Sequence, residues 1–232
     1  MTRRGPRLLR RRELWVPTAT GWLLLAVLAG AAGWLAVRGL YGFLAPNEPL
    51  ARGVLVVEGW ISDEAFDQAA EAWRGGRYAK VLTTGGPIRD GMYPASYPTY
   101  ADYAAAALRA RGVPAEAIGV VPTPESARDR TYLSAVLVRE WIEQSGLPVE
   151  GVDVFSEGVH GRRTWRLYAQ AFGGERPVGI RSATPSSYDP RAWWRTSAGA
   201  EELVKESVGW AWAACCFRPG ARGSLAEKWD PP

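Results

Sequence analysis

The run Gly53-Val54-Leu55-Val56-Val57 limits the folds open to this chain more than any other stretch. It is continuous, apolar and β-branched, the composition of a strand covered on both faces. Such a strand needs parallel neighbours, and parallel neighbours need helical crossovers between them. Both are present. Further short apolar runs lie at 79–84, 118–121, 152–155 and 178–180, with helical patterns between them. Ser62 before Asp63 and Glu64 is an N-cap with an acidic first turn, for a helix that ends at Gly75-Gly76. Thr99 and Asp102 have capping-box spacing for a helix that runs to Arg111, with Gly112 beyond its end. Helices are also expected at 128–144, 160–172 and 198–217. The predicted fold class is therefore α/β: a Rossmann-like, three-layer parallel sheet of about five strands with helices on both faces.

The sheet is preceded by a different kind of segment. Residues 18–37 carry no charge, and twenty residues of helix span about 30 Å, the thickness of the hydrocarbon core of a bilayer. Trp15, Trp22, Trp34 and Tyr41 lie towards its ends, as interfacial aromatics do, and Arg38 can reach the headgroups. Six arginines between Arg3 and Arg12, against Glu13 alone, predict a cytoplasmic N-terminus. The apolar run is long for a cleaved signal peptide, and no small-x-small site precedes Pro46, so an uncleaved anchor is expected. The expected layout is a basic cytoplasmic tail (1–17), a transmembrane anchor (18–45), an α/β domain (46–217) and a polar tail (218–232). The domain would stand outside the inner membrane of a bacterium, close to the bilayer because residues 47–52 leave only a short Pro-containing linker.

The net charge of +4 is a property of that tail. Residues 13–232 hold 22 basic against 24 acidic residues, a net −2, which excludes the basic surface that nucleic-acid binding needs. One histidine and no Cys-x-x-Cys leave only carboxylates, which allow Mg²⁺ but not structural zinc, and no metal site is assigned. Cys215 and Cys216 are neighbours in an apolar helical context and are taken as small hydrophobes rather than a disulfide.

In a parallel sheet, ligands bind outside the carboxyl ends of the strands. Five loops meet there: 58–60, 83–87, 122–129, 156–160 and 183–194. The loop 88–98 is long enough to cover a pocket. His160, the single histidine of the chain, follows the fourth strand and lies three residues before Arg163, which puts both on one helical face. His160 can be an acid, a base or a nucleophile, while Arg163 or Arg162 grips a phosphate or carboxylate. The turn Thr84-Gly85-Gly86 lets backbone N–H groups approach an anion, or is only a tight turn. Glu125 could orient His160, act as a second acid or base, or hold a substrate hydroxyl. Asp129 reads as a helix cap. Glu201, Glu202 and Glu206 in the last helix are surface ion-pair residues, or turn one carboxylate towards the pocket.

The order Glu58-Gly59, Thr84-Gly85-Gly86, the 100–110 helix with Gly112-Val113-Pro114, Glu125 to Thr131, His160-x-x-Arg163, then Trp194 and a Glu-bearing last helix resembles the YdcF/SanA/ElyC-like family over roughly residues 52–212. The resemblance implies a Rossmann-like domain tethered by one transmembrane helix, with links to envelope integrity and peptidoglycan precursor supply. It implies functional roles for Gly85, Gly86, Glu125, Thr131, His160, Arg163 and Glu206. The expectation is an enzyme, a hydrolase or transferase acting on an anionic, phosphate-bearing or glycosyl envelope intermediate or lipid-linked precursor. His160, Glu125 and Arg163 would be catalytic, and Glu58, Thr84, Gly85, Gly86, Asp129, Thr131 and Glu206 would bind the ligand. The alternative is a non-catalytic envelope protein that binds a ligand or partner. One cytosolic member binds S-adenosylmethionine, but an extracytoplasmic domain would not meet that cofactor, and no cofactor is assigned.

Overall fold

The structure, a computed structural model, describes residues 15–88, 97–126 and 128–228. The basic N-terminal tail, and the part of the expected pocket-covering loop at 89–96, lie outside the described residues. Two compact units are present, Met1–Gly39 and Leu40–Pro232.

The first unit holds most of α1 (Ala19–Leu44), a helix of 26 residues. Its length and hydropathy are enough to cross a membrane, none of its most apolar window is buried, and among the described residues it is the one such helix. A buried core helix would hide that surface.

The second unit is the predicted α/β domain. Its strands β1 (Arg52–Glu58), β2 (Arg77–Gly85), β3 (Ile118–Pro122), β4 (Val152–Glu157) and β5 (Val178–Ala183) form one sheet. The order is β3-β2-β1-β4-β5 and every pairing is parallel. The β1 run explains itself in this setting. Val54 and Val56 pack into one core with Val154, Ile180, Val136, Leu167 and Phe172, while Leu55 and Val57 pack into the other with Val81, Phe66, Ala104 and Leu108. Alternate residues thus face α4 (Arg130–Ser145) and α5 (Gly161–Phe172) on one side, and α2 (Asp63–Gly75) and α3 (Tyr100–Ala110) on the other. A polar residue on either face would be stranded between layers, which is why the run is apolar throughout. The last helix, α6 (Ser197–Cys215), packs against α5.

The predicted caps form. Ser62 Oγ accepts from Ala65 N, and Thr99 Oγ1 accepts from Asp102 N. Two segments gain partners that the sequence did not show, and one expectation needs correction. The segment after α1 is not a free linker: Ser182 donates to the Pro46 carbonyl, Glu48 bridges Ile180 antiparallel to β5, and Leu50 N and Ala51 N donate to buried Asp153. The polar tail after residue 217 is packed on the domain up to Lys228. Glu227, in a short 3-10 turn (Leu225–Lys228), is 1% exposed and bonded to Arg139. Finally, Cys215 and Cys216 are exposed and joined in a disulfide, not packed as small hydrophobes. In the first two cases long-range partners, invisible to local pattern, override a coil-like composition.

Candidate active site

The carboxyl ends of the strands open into a cavity of about 1050 Å³. All five strand-end loops were expected at this edge, and four supply its walls: Glu58 and Trp60 after β1, Thr84 to Pro87 after β2, Thr123 to Asp129 after β3, and His160 after β4. Glu202, Lys205 and Glu206 of α6 complete it.

The local sequence shapes these walls. Gly85 is followed closely by the start of α3, and a Cβ on it would stand 2.6 Å from Tyr100 Cβ, so no larger residue fits there. After β4 the chain passes through a 3-10 turn (Gly158–His160) before α5 begins. His160 is therefore held at the strand–helix junction rather than inside the helix, with its ring edge-on to Trp60 at 4.8 Å between centroids. Arg163 lies one turn on, and its guanidinium crosses α6 at Gly209, where a Cβ would come within 3.1 Å of Nε.

His160 is 8% exposed and touches three charged groups. Its Nδ1 is 3.1 Å from Glu206 Oε1 and 2.9 Å from Arg163 Nη2, and its Nε2 is 3.7 Å from Glu58 Oε1. Arg163 in turn grips Glu206 with two donors, Nε to Oε2 at 2.8 Å and Nη2 to Oε1 at 3.1 Å. Burial pushes the Glu206 carboxyl upward, but the bonds from His160 and Arg163 override it and hold the group down at about 2. Glu206 is thus a fixed negative charge. Glu58, 3% exposed, accepts from the hydroxyls of Ser156 and Thr164. Neither hydroxyl residue was singled out from sequence. Thr164 was legible in principle, because it is four residues from His160 and on the same face of the helix.

One buried nitrogen in this cluster lacks a hydrogen bond: His160 Nε2. With its proton on Nδ1, the ring donates to Glu206 and leaves a lone pair on Nε2. With Nδ1 bare, the ring accepts from Arg163 and carries its proton on Nε2. Both forms find a partner for Nδ1, so the ring can present either a lone pair or a proton without turning. That is what a group needs if it is to take a proton in one half of a reaction and return it in the other.

The remaining expected residues divide. Thr84 lines the cavity and is 2% exposed, with its hydroxyl unpartnered; Gly85, Gly86 and Thr131 also line it. Asp129 stands at the N-cap position of α4, as expected, but in the left-handed region at φ 40°, and its side chain makes no capping bond. Burial raises its carboxyl above the ordinary value, with Arg128 and Arg163 opposing. The first N–H groups of α4 are left without a side-chain cap at a wall of the cavity, at the positive end of the helix dipole. Glu125 lines the same cavity as an exposed residue, and the carboxylates at His160 are Glu206 and Glu58 rather than Glu125. Arg162 points elsewhere, over the ring of Phe43 at 4.2 Å. Glu202, one of the three glutamates read as surface residues or as turned towards the pocket, faces the cavity beside Glu206, as does Lys205, which the sequence did not single out. Glu201 is exposed on the same helix and does not line it. Among the described residues, no group of three or more His, Cys, Asp or Glu side chains is placed to hold a metal ion.

Comparison with family models, with characterised proteins and with solved structures gives no match to this chain.

Proposed function

We propose that this chain is a membrane-anchored, extracytoplasmic enzyme of the YdcF/SanA/ElyC-like kind, a hydrolase or transferase acting on a phosphate-bearing intermediate of the cell envelope. The observation that supports the reading is His160: a buried imidazole in the cavity wall, with Nδ1 held between Glu206 and Arg163 and a shielded Nε2 that has no hydrogen bond, 3.7 Å from Glu58 Oε1. Structural histidines satisfy both nitrogens. The unbonded Nε2 beside Glu58 supports a role for this ring in proton transfer.

In the proposed reaction the phosphate sits against the uncapped amino end of α4 and the Thr84-Gly85-Gly86 turn, where N–H groups and a free hydroxyl favour an anion. Nε2 removes a proton from the attacking water or acceptor hydroxyl, and the imidazolium formed lies between Glu58 and Glu206. The nucleophilic oxygen forms its bond to phosphorus as the ester oxygen leaves, and His160 returns the proton to that oxygen. Glu206 and Arg163 position the ring. Glu58, fixed by Ser156 and Thr164, stabilises its charged form.

The test is turnover by the full-length protein in detergent, measured against sugar phosphates and isoprenyl phosphates and diphosphates. His160→Gln is expected to lower phosphoryl release by roughly 10²- to 10⁴-fold with the fold intact. Retention of the wild-type rate, or ligand binding without turnover in either protein, would remove the enzymatic reading.

A further inference from the structure

Trp60 lines the cavity beside His160 and is 40% exposed. The turn that carries it, between β1 and α2, is clamped on both sides. Gly59 N donates to the Thr84 carbonyl at 2.7 Å, and a Cβ on Gly59 would stand 2.2 Å from the Tyr100 carbonyl oxygen, so the backbone before the ring is pressed against the start of α3. After the ring, Ile61 is buried and Ser62 gives both its N–H and its hydroxyl to Glu157, each at 2.7 Å. The indole meets the His160 ring at an interplanar angle of 82°. At that angle at most one ring shows its face to the other, so at least one face of the indole is clear of the imidazole. A large apolar ring kept open by a fixed turn forgoes the gain from burial, and an aromatic platform for a ligand requires that arrangement.

The rest of the lining narrows the kind of ligand. Among the described lining residues Ile88 is the one aliphatic side chain, prolines apart, whereas Glu125, Arg130, Glu202 and Lys205 all border the same space. A hydrocarbon chain entering it would desolvate those charged groups and offer them no hydrogen bond in return. A pyranose has the matching surface, with C–H bonds on the faces of the ring and hydroxyls around its rim. The faces lie against an aromatic ring, and the rim hydroxyls donate to carboxylates and accept from ammonium and guanidinium groups.

We infer that Trp60 is a sugar platform: the phosphate ester taken by this cavity carries a hexopyranose ring, stacked on the free face of the indole, rather than an isoprenyl chain. Because Trp60 touches His160, a ring on that face lies next to the imidazole and brings its phosphoester to the same end of the cavity. Glu202 and Lys205 of α6, and Glu125 of the loop after β3, supply partners for the hydroxyls from two different walls. The inference rests on the phosphate reading of the cavity and gives that reading a substrate class.

Titration calorimetry on the full-length protein in detergent tests it, with inorganic phosphate, glucose-1-phosphate, N-acetylglucosamine-1-phosphate and geranyl phosphate as probes. At least one of the two sugar phosphates is expected to bind about tenfold tighter than inorganic phosphate, and geranyl phosphate no tighter than inorganic phosphate. Trp60→Leu, which fills the space without a flat ring, should remove that gain and leave the affinity for inorganic phosphate unchanged. Trp60→Phe should keep most of it. No gain for either sugar phosphate, tighter binding of geranyl phosphate than of both, or a sugar gain that survives Trp60→Leu overturns the platform and leaves the phosphate reading standing. Equal weakening of every probe in Trp60→Leu, inorganic phosphate included, makes Trp60 a structural residue and overturns the inference as well. Failure of inorganic phosphate and of every ester to bind the wild-type protein removes the phosphate reading and the inference with it.

Discussion

Two buried charge clusters in this domain use the same residue types to opposite ends. In the first, the Glu227 carboxylate receives four donors: Arg139 Nη1 and Tyr132 Oη on Oε1, and Arg139 Nη2 and Gly223 N on Oε2. Burial pushes its carboxyl up and the bond from Arg139 holds it down, and Arg139 spends a further donor on the Ala171 carbonyl. Every lone-pair site of the carboxylate is taken, so the carboxylate is closed, although Arg139 Nε, 3.8 Å from Glu143 Oε1, has no hydrogen bond. Its effect is to staple the 218–228 segment over α4 and α5. In the second, Glu206 is gripped as firmly by Arg163, but the His160 ring it also holds lines a cavity and has no hydrogen bond at Nε2. The closed carboxylate ties the tail to α4 and α5; the open cluster lines the cavity. Neither burial, charge nor an unbonded nitrogen separates them, since Arg139 Nε lacks a bond as His160 Nε2 does; position does, because His160, Glu58 and Glu206 line the cavity and Arg139 and Glu227 do not.

Breaking the closed cluster is expected to have the largest effect. Glu227→Ala leaves Arg139 charged and buried without its partner, which should destabilise the domain by about 3–5 kcal/mol, visible as a fall in denaturation midpoint. Glu227 and Arg139 lie away from the cavity lining, so turnover per folded molecule should be unchanged. His160→Gln should behave in reverse, with stability within about 1 kcal/mol of wild type and loss confined to turnover. A large drop in melting temperature for His160→Gln would mean that the two clusters do the same job.

The pH dependence sharpens the contrast. The folded-state pKa of Glu206 is depressed below its ordinary value of 4.5 to about 2. Its contribution to stability is therefore complete above the ordinary value and is lost as pH falls from about 4.5 towards 2. Glu206→Gln should lower stability at neutral pH by about 1–3 kcal/mol and flatten the acid limb of a stability–pH curve over that window. An unchanged acid limb would remove Glu206 from the role of fixed charge. The smallest effects belong to the hydroxyls on Glu58. Thr164→Val should cost about 1 kcal/mol by chemical denaturation, since it removes one of two donors from a buried carboxylate.

The parts of this arrangement that were legible in the sequence are those set by local pattern. Apolar runs at 53–57, 79–84 and 152–155 placed the strands, and their ends placed Glu58, Gly85 and His160 on one edge of the sheet. The three-residue spacing brought Arg163 onto the His160 face. What pattern could not reach was the choice among carboxylates. Glu125 lies in a strand-end loop and was the natural partner for His160, yet Glu206 takes that place from a helix whose exposed side is as apolar as its buried side, leaving no periodicity to show which glutamate turns inward. Glu227 was hidden for a similar reason. Its surroundings, Gly220 to Leu225, read as coil, and its burial depends on Arg139, 88 residues earlier.

The single histidine makes the central claim directly measurable, because a ¹⁵N spectrum of imidazole nitrogens contains one ring. If His160 holds Nδ1 in the protein and offers Nε2 to a ligand, adding inorganic phosphate or vanadate to the full-length protein should move the Nε2 resonance and leave Nδ1 nearly in place. Glu206→Gln should then move Nδ1. Insensitivity of both nitrogens to either anion, with Nε2 already showing the shift of a hydrogen-bonded nitrogen, would contradict the account and make His160 a structural residue like those around Glu227.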